Sequence, residues 1–383
     1  MTVPPDLTVS TITRDEHLAF LATQRSASFL QTPAWGQVKS EWRSESVGWR
    51  RGTGGELVGA GLVLHRQAPV VRRSLAYLPE GPVIDWGSEH LASWLRPLGA
   101  HLRGTGAFAI RIGPPVVTRR WSAAQVKQGI ADESVTSLTE LPPLERSRVG
   151  ARVVSQLHEL GWRPPAATGG FTAGQPQYSF RVPLRDPDGR PRSEDDVLQG
   201  MNQLWRRNIR KALKSGVVVR RGTVDDLAAF HTLYAHTAER DHFRPRPLDY
   251  FRRMFESLDA EDPGGRIRLY LAEHEGDLVA STIWIRVGGH TWYSYGASST
   301  EKREVRGSNA AQWQMIRDAL ALGADVYDLR GITDTLAADD PHLGLIQFKV
   351  GTGGEAVEYA GEWDLPLSKA LYRAFDLYLK RRG

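Results

Sequence analysis

The chain has no cysteine among its 383 residues. Disulfides, thiolate metal sites and a cysteine nucleophile are therefore excluded. No apolar run approaches the roughly 18 residues that a membrane-spanning helix needs. The amino terminus, MTVPPDLTVSTITRDE, has no basic segment leading into an apolar one, so no secretory signal is expected and the protein is read as cytoplasmic. The sequence has no HExxH and no paired Cys/His spacing; His231, His236 and His242 do not fall at metal-ligand intervals. It also has no GxSxG elbow and no GxxxxGK[ST] loop, which argues against serine hydrolases and P-loop ATPases. Neither a metal nor any other cofactor is expected.

What is present is a locally concentrated charge. Lys and Arg number 49 against 44 Asp and Glu, a net charge of only +5. The segment Trp205–Arg221 nevertheless carries Arg206, Arg207, Arg210, Lys211, Lys214, Arg220 and Arg221 with no acidic residue among them. Such a block is either a solvated helix face or a seat for an anion: phosphate, diphosphate, RNA or an acidic membrane surface.

At about 150 residues per domain the length suggests two or three domains, and internal similarity points to two. LTVSTI followed by TRDEHLAFLA corresponds to GVVVRR followed by TVDDLAAFHTLY; in each pair a strand leads into a helix that opens on carboxylates. GGELVGAGLVLHR corresponds to EGDLVASTIWIRV, and LRGTGAFAIRIGPP to LALGADVYDLRGI, where a helix ends at glycine before a short buried strand. Hairpins and a helix–strand step in each copy imply α/β units with mixed sheets, the layout of the acetyltransferase-type (GNAT) fold. Pro142–Pro143 mark the break, giving domains at 1–145 and 146–363. The amphipathic end of the chain, 364–383, with Leu371, Phe375, Leu377 and Leu379, reads as a packing helix for the first. SEDD, Ser193–Asp196, reads as the acidic first turn of the basic helix.

Three constellations could carry chemistry. In QTPAWGQVKSEW, Trp35, Val38 and Trp42 lie at helical spacing with Lys39 off that line. In LAYLPEGPVIDW, Asp85 follows a strand and a Pro-Gly turn; it could act as a base, orient an amine, or serve its own turn. The third is dispersed over WYSYGASS, YDLRGI and GLIQFKVGTGG. There Tyr293 and Tyr295 share one strand face, and Lys349 lies in an apolar FKVG strand, from which it either snorkels outward or meets an anion.

Taken in order, QTPAWGQVK, YLPEGPVID, LWRRNIRKALKSGV, TAERDHFRPRPLDYFRRMF, WYSYGASS, YDLRGI and GLIQFKVGTGG resemble the FemABX family of peptidyltransferases over about residues 28–365. The resemblance implies two GNAT-like domains. It also implies transfer of an amino acid from aminoacyl-tRNA to an amine of a nucleotide- or lipid-linked muropeptide, a step of peptidoglycan synthesis. It assigns the acceptor's diphosphate and uridine to Lys39, Arg206 and Arg207, with Lys211 beside them. It lines the cleft with Tyr293 and Tyr295, places Phe348 and Lys349 at the transfer step, and gives Asp85 the acceptor amine. The stretch Lys211–Asp249 is too short for a coiled-coil arm, so the chain resembles the minimal FemX-like form, a monomer making peripheral contact with an anionic membrane.

Other readings are an acyl-CoA-dependent N-acyltransferase, from the loop Arg303, Arg306, Gly307 preceding a helix, and a non-catalytic RNA or membrane module. Within the family, the acceptor could instead be a small secondary metabolite.

Overall fold

A computed structural model describes residues 6–52, 54–68, 71–165 and 174–380. It divides into two compact units: Met1–Arg120 with Pro143–Tyr178 and Val357–Gly383, and Trp121–Pro142 with Ser179–Ala356. The chain therefore passes between the units four times, where the sequence suggested a boundary near residue 145 and a return of residues 364–383 to the first domain. Local packing accounts for this. Val153 and Leu157 of the helix Arg148–Glu159 share a core with Trp94 and Trp363, which draws that helix into the first unit. In the segment before it, Ala123 N–H donates to the Gly354 carbonyl at 2.9 Å, and Gly129 lies against Leu141 and Leu336, which ties it to the second.

The first unit is built on a six-stranded sheet in the order Leu7–Thr11, Arg43–Arg51, Leu57–Gln67, Ser74–Leu78, Ala107–Ile112, Trp363–Pro366. All neighbours are antiparallel except Ser74–Leu78 with Ala107–Ile112. Trp49, Leu78, Leu98 and Ile110 are fully buried in its core. The closing helix Lys369–Lys380 buries Tyr372 and Phe375 against Phe108 as a packing helix should, but Leu377 is exposed; Leu379 lies outside the described side chains.

In the second unit the sheet runs Tyr178–Pro183, Val326–Ile332, His290–Ser298, Asp277–Val287, Ile267–His274, Val218–Gly222. Its two faces are covered by different helices, as strand alternation requires. Thr282 donates to Met315 Sδ of the helix Gly307–Ala321 at 3.2 Å. The neighbouring Ile283 pairs with Tyr295, whose ring packs on Tyr234 of Leu227–Arg240 and Phe251 of Leu248–Asp259.

The internal duplication is visible in both units. The strands Leu57–Gln67 and Asp277–Val287 each have 11 residues. Thr13 and Thr223 each form a capping box at the turn into the first helical segment, satisfying exposed N–H groups. Gly323, at φ +68°, ends the helix Gly307–Ala321 before the buried strand Val326–Ile332, as the glycine rule anticipates.

Two sequence expectations are corrected. The acidic SEDD turn does not open the basic helix; it opens a separate one, Glu194–Gly200, with Ser193 as cap. A second helix, Gln203–Lys214, starts at Asn202, whose side chain accepts from Trp205 N–H at 2.9 Å. Lys349 lies on a helix, Leu343–Val350, and not on a strand.

A buried polar group braces the first sheet. Glu45 accepts from His101 Nε2 at 2.8 Å and lies 3.3 Å from His65 Nε2, while His65 Nδ1 meets Ser74 Oγ at 3.1 Å. Burial alone would raise the Glu45 pKa, but the hydrogen bonds from His101 and His65 and the nearby Arg43 hold it well below the ordinary value near 4.5. Its stabilising contribution is thus present at neutral pH and lost as pH falls below that value. Glu45→Gln is expected to lower stability by about 1–3 kcal/mol at pH 7 and to flatten the loss on acidification. Urea unfolding at pH 7 and pH 4 checks this, and equal pH dependence in both proteins would contradict it.

Candidate active site

In the second unit, the parallel ladder between His290–Ser298 and Val326–Ile332 holds for only three pairs, His290–Val326 to Trp292–Asp328. Beyond Asp328 the two strands no longer pair with each other, and backbone groups there need other partners. Lys349 supplies them: its ammonium donates to the Gly331 carbonyl at 2.6 Å and the Arg330 carbonyl at 3.2 Å. Arg330 turns through the left-handed region at φ +64°, a conformation costly for any residue that carries a Cβ and tolerated where neighbours enforce it.

Lys349 is only 3% exposed, so the snorkelling alternative fails. Burial pulls its pKa down to about 7, with Asp328 opposing the shift and Arg330 adding to it. Asp328 is also buried; desolvation would raise its pKa, but the hydrogen bond from His290, at 3.2 Å, and the Arg330 N–H hold it below the usual range. No sequence motif singled out His290 or Asp328 as a pair, because they sit on different strands.

The helix bearing Lys349 is locked from behind. Trp205 Nε1 donates to the Phe348 carbonyl at 2.8 Å, and the two rings lie 4.8 Å apart. The glycines that follow are there for close approach. A Cβ on Gly351 would fall 2.2 Å from the Trp205 ring, and one on Gly354 would fall 2.1 Å from the Arg181 carbonyl oxygen. GTGG is therefore a packing device. Along the strand, a bulge at Ser294 sets Tyr295 opposite Ile283 and Tyr293 opposite Trp284, so the two tyrosines lie on different faces and not on the one face that simple alternation predicts. Tyr295 meets Tyr250 hydroxyl to hydroxyl at 3.2 Å, and the Tyr293 hydroxyl occupies the space over Gly296. Burial raises the Tyr293 pKa to about 12, with Asp241 adding to the effect.

The basic helix Gln203–Lys214 buries Trp205, Ile209 and Ala212 and turns Arg207, Arg210, Lys211 and Lys214 outward. Arg206 differs from its neighbour. Its guanidinium donates to the Gln199 and Met201 carbonyls at 2.9 and 2.7 Å, closing the end of the preceding helix. Arg207 and Lys211 have no ion-pair partner among the described residues. The Arg303–Gly307 loop does precede a helix, with Arg306 at φ +64°, and Gly307 lies close to Val279. Nearby Lys302 is engaged by Glu275 and Asp277.

In the first unit the motifs QTPAW and YLPEGP come together through Gln31, which the sequence gave no reason to single out. Its side chain accepts from Leu62 N–H at 3.0 Å and donates to the Pro79 carbonyl at 2.8 Å, beneath Gly81. Ser28 donates to Glu80 at 2.6 Å, and the Tyr77 hydroxyl is bound to Glu362. Lys39 caps the short helix Pro33–Val38, 3.8 Å from Glu41 and near the Trp35 ring. The helix stops there, leaving Trp42 beyond it, close to Tyr77. Asp85 is exposed, and its carboxylate accepts from Gly87 N–H at 2.9 Å, the local use of a turn aspartate.

Each unit thus carries the strand–helix order of an acetyltransferase-type domain, and residues 202–342 match the acetyltransferase (GNAT) domain family. The protein is a tandem GNAT-fold protein. The FemAB family model matches residues 12–263, well over half of the chain, and the chain belongs to that family. The lipid II:glycine glycyltransferase of Staphylococcus epidermidis is 23% identical over 424 aligned residues, covering 94% of this chain and 93% of that protein. The Staphylococcus aureus counterpart is 24% identical over 436, covering 95% and 94%. The crystal structure of FemX shares the fold with a TM-score of 0.79 at 22% identity, over 96% of this chain and 99% of that one. A tandem GNAT protein of the clavulanic acid pathway shares it with a TM-score of 0.50 at 13% identity, over 94% and 98%. Among the described residues no helix is long and apolar enough to cross a membrane.

The buried amine generates a prediction on stability. A lysine whose pKa falls from 10.5 to about 7 on folding binds its proton less readily in the native state, so native stability rises with pH between those values. Lys349→Met removes that dependence. Wild type should gain stability relative to the variant from pH 7 to pH 10 in chemical unfolding; parallel curves would show that the amine is not desolvated.

Proposed function

We propose that this chain transfers an amino acid from aminoacyl-tRNA to an amine of a lipid-linked peptidoglycan precursor, forming a peptide bond. Membership of the FemAB family supports the reaction class. Relatives named for glycine transfer to lipid II support a muropeptide acceptor, and make glycine the first donor to assay. The observation that carries the reading is the desolvated Lys349 amine fixed on the Arg330 and Gly331 carbonyls.

The chemistry asks little else of the protein. An aminoacyl ester is already activated, so the acceptor nitrogen attacks its carbonyl carbon and a C–N bond forms while negative charge gathers on the oxygen. An ammonium has three donors. Two are used on carbonyls, leaving the third for that oxyanion in a water-poor setting, an effect of about 3–4 kcal/mol for a well-placed donor. The C–O bond then breaks. A pKa near 7 lets Lys349 protonate the departing ribose oxygen and then accept the proton that the new amide nitrogen sheds. Arg207 and Lys211, turned outward, suit the acceptor's diphosphate, since guanidinium binds phosphate in bidentate fashion. A lipid-linked acceptor also brings this basic face to an anionic membrane from the cytoplasmic side. Tyr293, Tyr295 and Phe348 are the further residues of the second unit proposed to meet the substrates.

Lys349→Met is expected to cut transfer by at least about a hundredfold, the scale of one lost oxyanion donor, while the protein stays folded; turnover at the wild-type rate would exclude the assignment. The two arginines should separate. Arg207→Ala should raise the acceptor KM several-fold with little change in kcat and stability within about 0.5 kcal/mol. Arg206→Ala should destabilise by about 1–3 kcal/mol through its lost carbonyl bonds. Steady-state kinetics with thermal unfolding checks both, and an unchanged KM in Arg207→Ala would count against the phosphate role.

A further inference from the structure

The motif TAERDHFRPRPLDYFRRMF has no role in the reaction described above. It spans the end of the helix Leu227–Arg240, a loop over residues 241–247, and the helix Leu248–Asp259. At the loop's start His242 takes the left-handed conformation, φ +56°, and Phe243 N–H returns to the Ala238 carbonyl at 3.0 Å. The Phe243 ring is thereby turned outward and is 40% exposed, uncommon for so large an apolar group. It is not isolated. Its centroid lies 5.4 Å from Tyr234, Tyr234 lies 6.1 Å from Tyr295, and Tyr295 touches Tyr250. A continuous aromatic path therefore joins this exposed ring to the strand His290–Ser298.

Within the loop, the charged side chains without an ion-pair partner among the described residues are all basic. Asp241, the loop's one acidic residue, accepts from Nε and Nη2 of Arg240, at 2.7 and 2.9 Å. Arg246 is stacked 5.3 Å over the Tyr250 ring, and its carbonyl oxygen meets His231 Nε2 at 3.0 Å. Arg244 is exposed and has no ion-pair partner among the described residues. Pro245 and Pro247 alternate with these arginines and restrict the backbone between them.

We infer that the loop Asp241–Pro247 seats the single-stranded 3′ end of an RNA, with a base stacked on Phe243 and adjoining phosphates held by Arg244 and Arg246. An exposed ring flanked by guanidinium groups is how bases and backbone of unpaired nucleic acid are bound together. A lipid surface is the less suitable occupant, because Phe243 is the only large apolar side chain of the loop that is markedly exposed. The inference rests on the reading of the donor as an aminoacyl-tRNA, and names the element that would recognise it.

The test is anisotropy with a labelled, uncharged RNA hairpin bearing a single-stranded CCA 3′ overhang, which requires no transfer activity. Wild type should bind. Phe243→Ala should weaken binding roughly ten- to a hundredfold, Phe243→Trp should retain it, and Arg244→Ala should lower the slope of log Kd against log salt by roughly 0.7. Wild-type binding left unchanged in Phe243→Ala would overturn the assignment of the loop while sparing the donor reading. Absence of any wild-type RNA binding would overturn the donor reading and the inference with it. Flotation with anionic phosphatidylglycerol vesicles gives the last arm: vesicle binding lost in Phe243→Ala, with RNA binding intact, would make the loop a membrane contact and refute the proposal.

Discussion

An ammonium group taken out of water and fixed on two carbonyls, those of Arg330 and Gly331, is the constraint on which the second unit's architecture turns. Two neighbouring strands stop pairing after Asp328, which frees backbone acceptors inside a domain where unsatisfied groups are costly. Lys349 satisfies them, and is itself held in place because the helix that carries it cannot shift. Trp205 grips that helix through the Phe348 carbonyl. Gly351, Gly353 and Gly354 let the chain pass within contact of Trp205, Gly200 and Arg181. The same desolvation that makes the arrangement expensive gives the amine a pKa near 7, where an amine can give and take a proton.

Much of this was legible in the sequence. Two copies of one α/β unit could be read from paired landmarks, because capping residues, glycine helix ends and strand alternation act locally. Phe348 and Lys349 could be marked by resemblance, but not their setting: GLIQFKV is a short apolar run that suits a strand or a buried helix, and only tertiary packing decides between them. Gly200 and Met201, followed by the Asn202 cap, break what reads as one acidic-to-basic helix into two, with Arg206 closing the joint. Gln31 and the His290–Asp328 pair were invisible because their partners are remote in sequence. The repeated passage of the chain between units was hidden for the same reason: Val153 and Leu157 report a buried face without naming the core that receives it.

The modest net charge of +5 acquires a structure of its own. Arg220 is tied to Asp226 and Glu273, and Arg221 to Asp318, so part of the basic block braces the fold. What remains turned outward, Arg207, Arg210, Lys211 and Lys214, is a single helix face whose other side is bolted into the unit by Trp205, Ile209 and Ala212. A rigid cationic face of this kind is suited to a diphosphate, for which geometry matters as much as charge.

The central claim is the identity of donor and acceptor, and one measurement addresses both. The purified protein is incubated with lipid-linked muropeptide and either charged tRNA or acetyl-CoA, and the muropeptide is analysed by mass spectrometry. The account predicts a product heavier by one amino-acid residue with charged tRNA, abolished by prior ribonuclease treatment, and no product with acetyl-CoA. An acetylated muropeptide, or no mass change with any aminoacyl-tRNA, would contradict it.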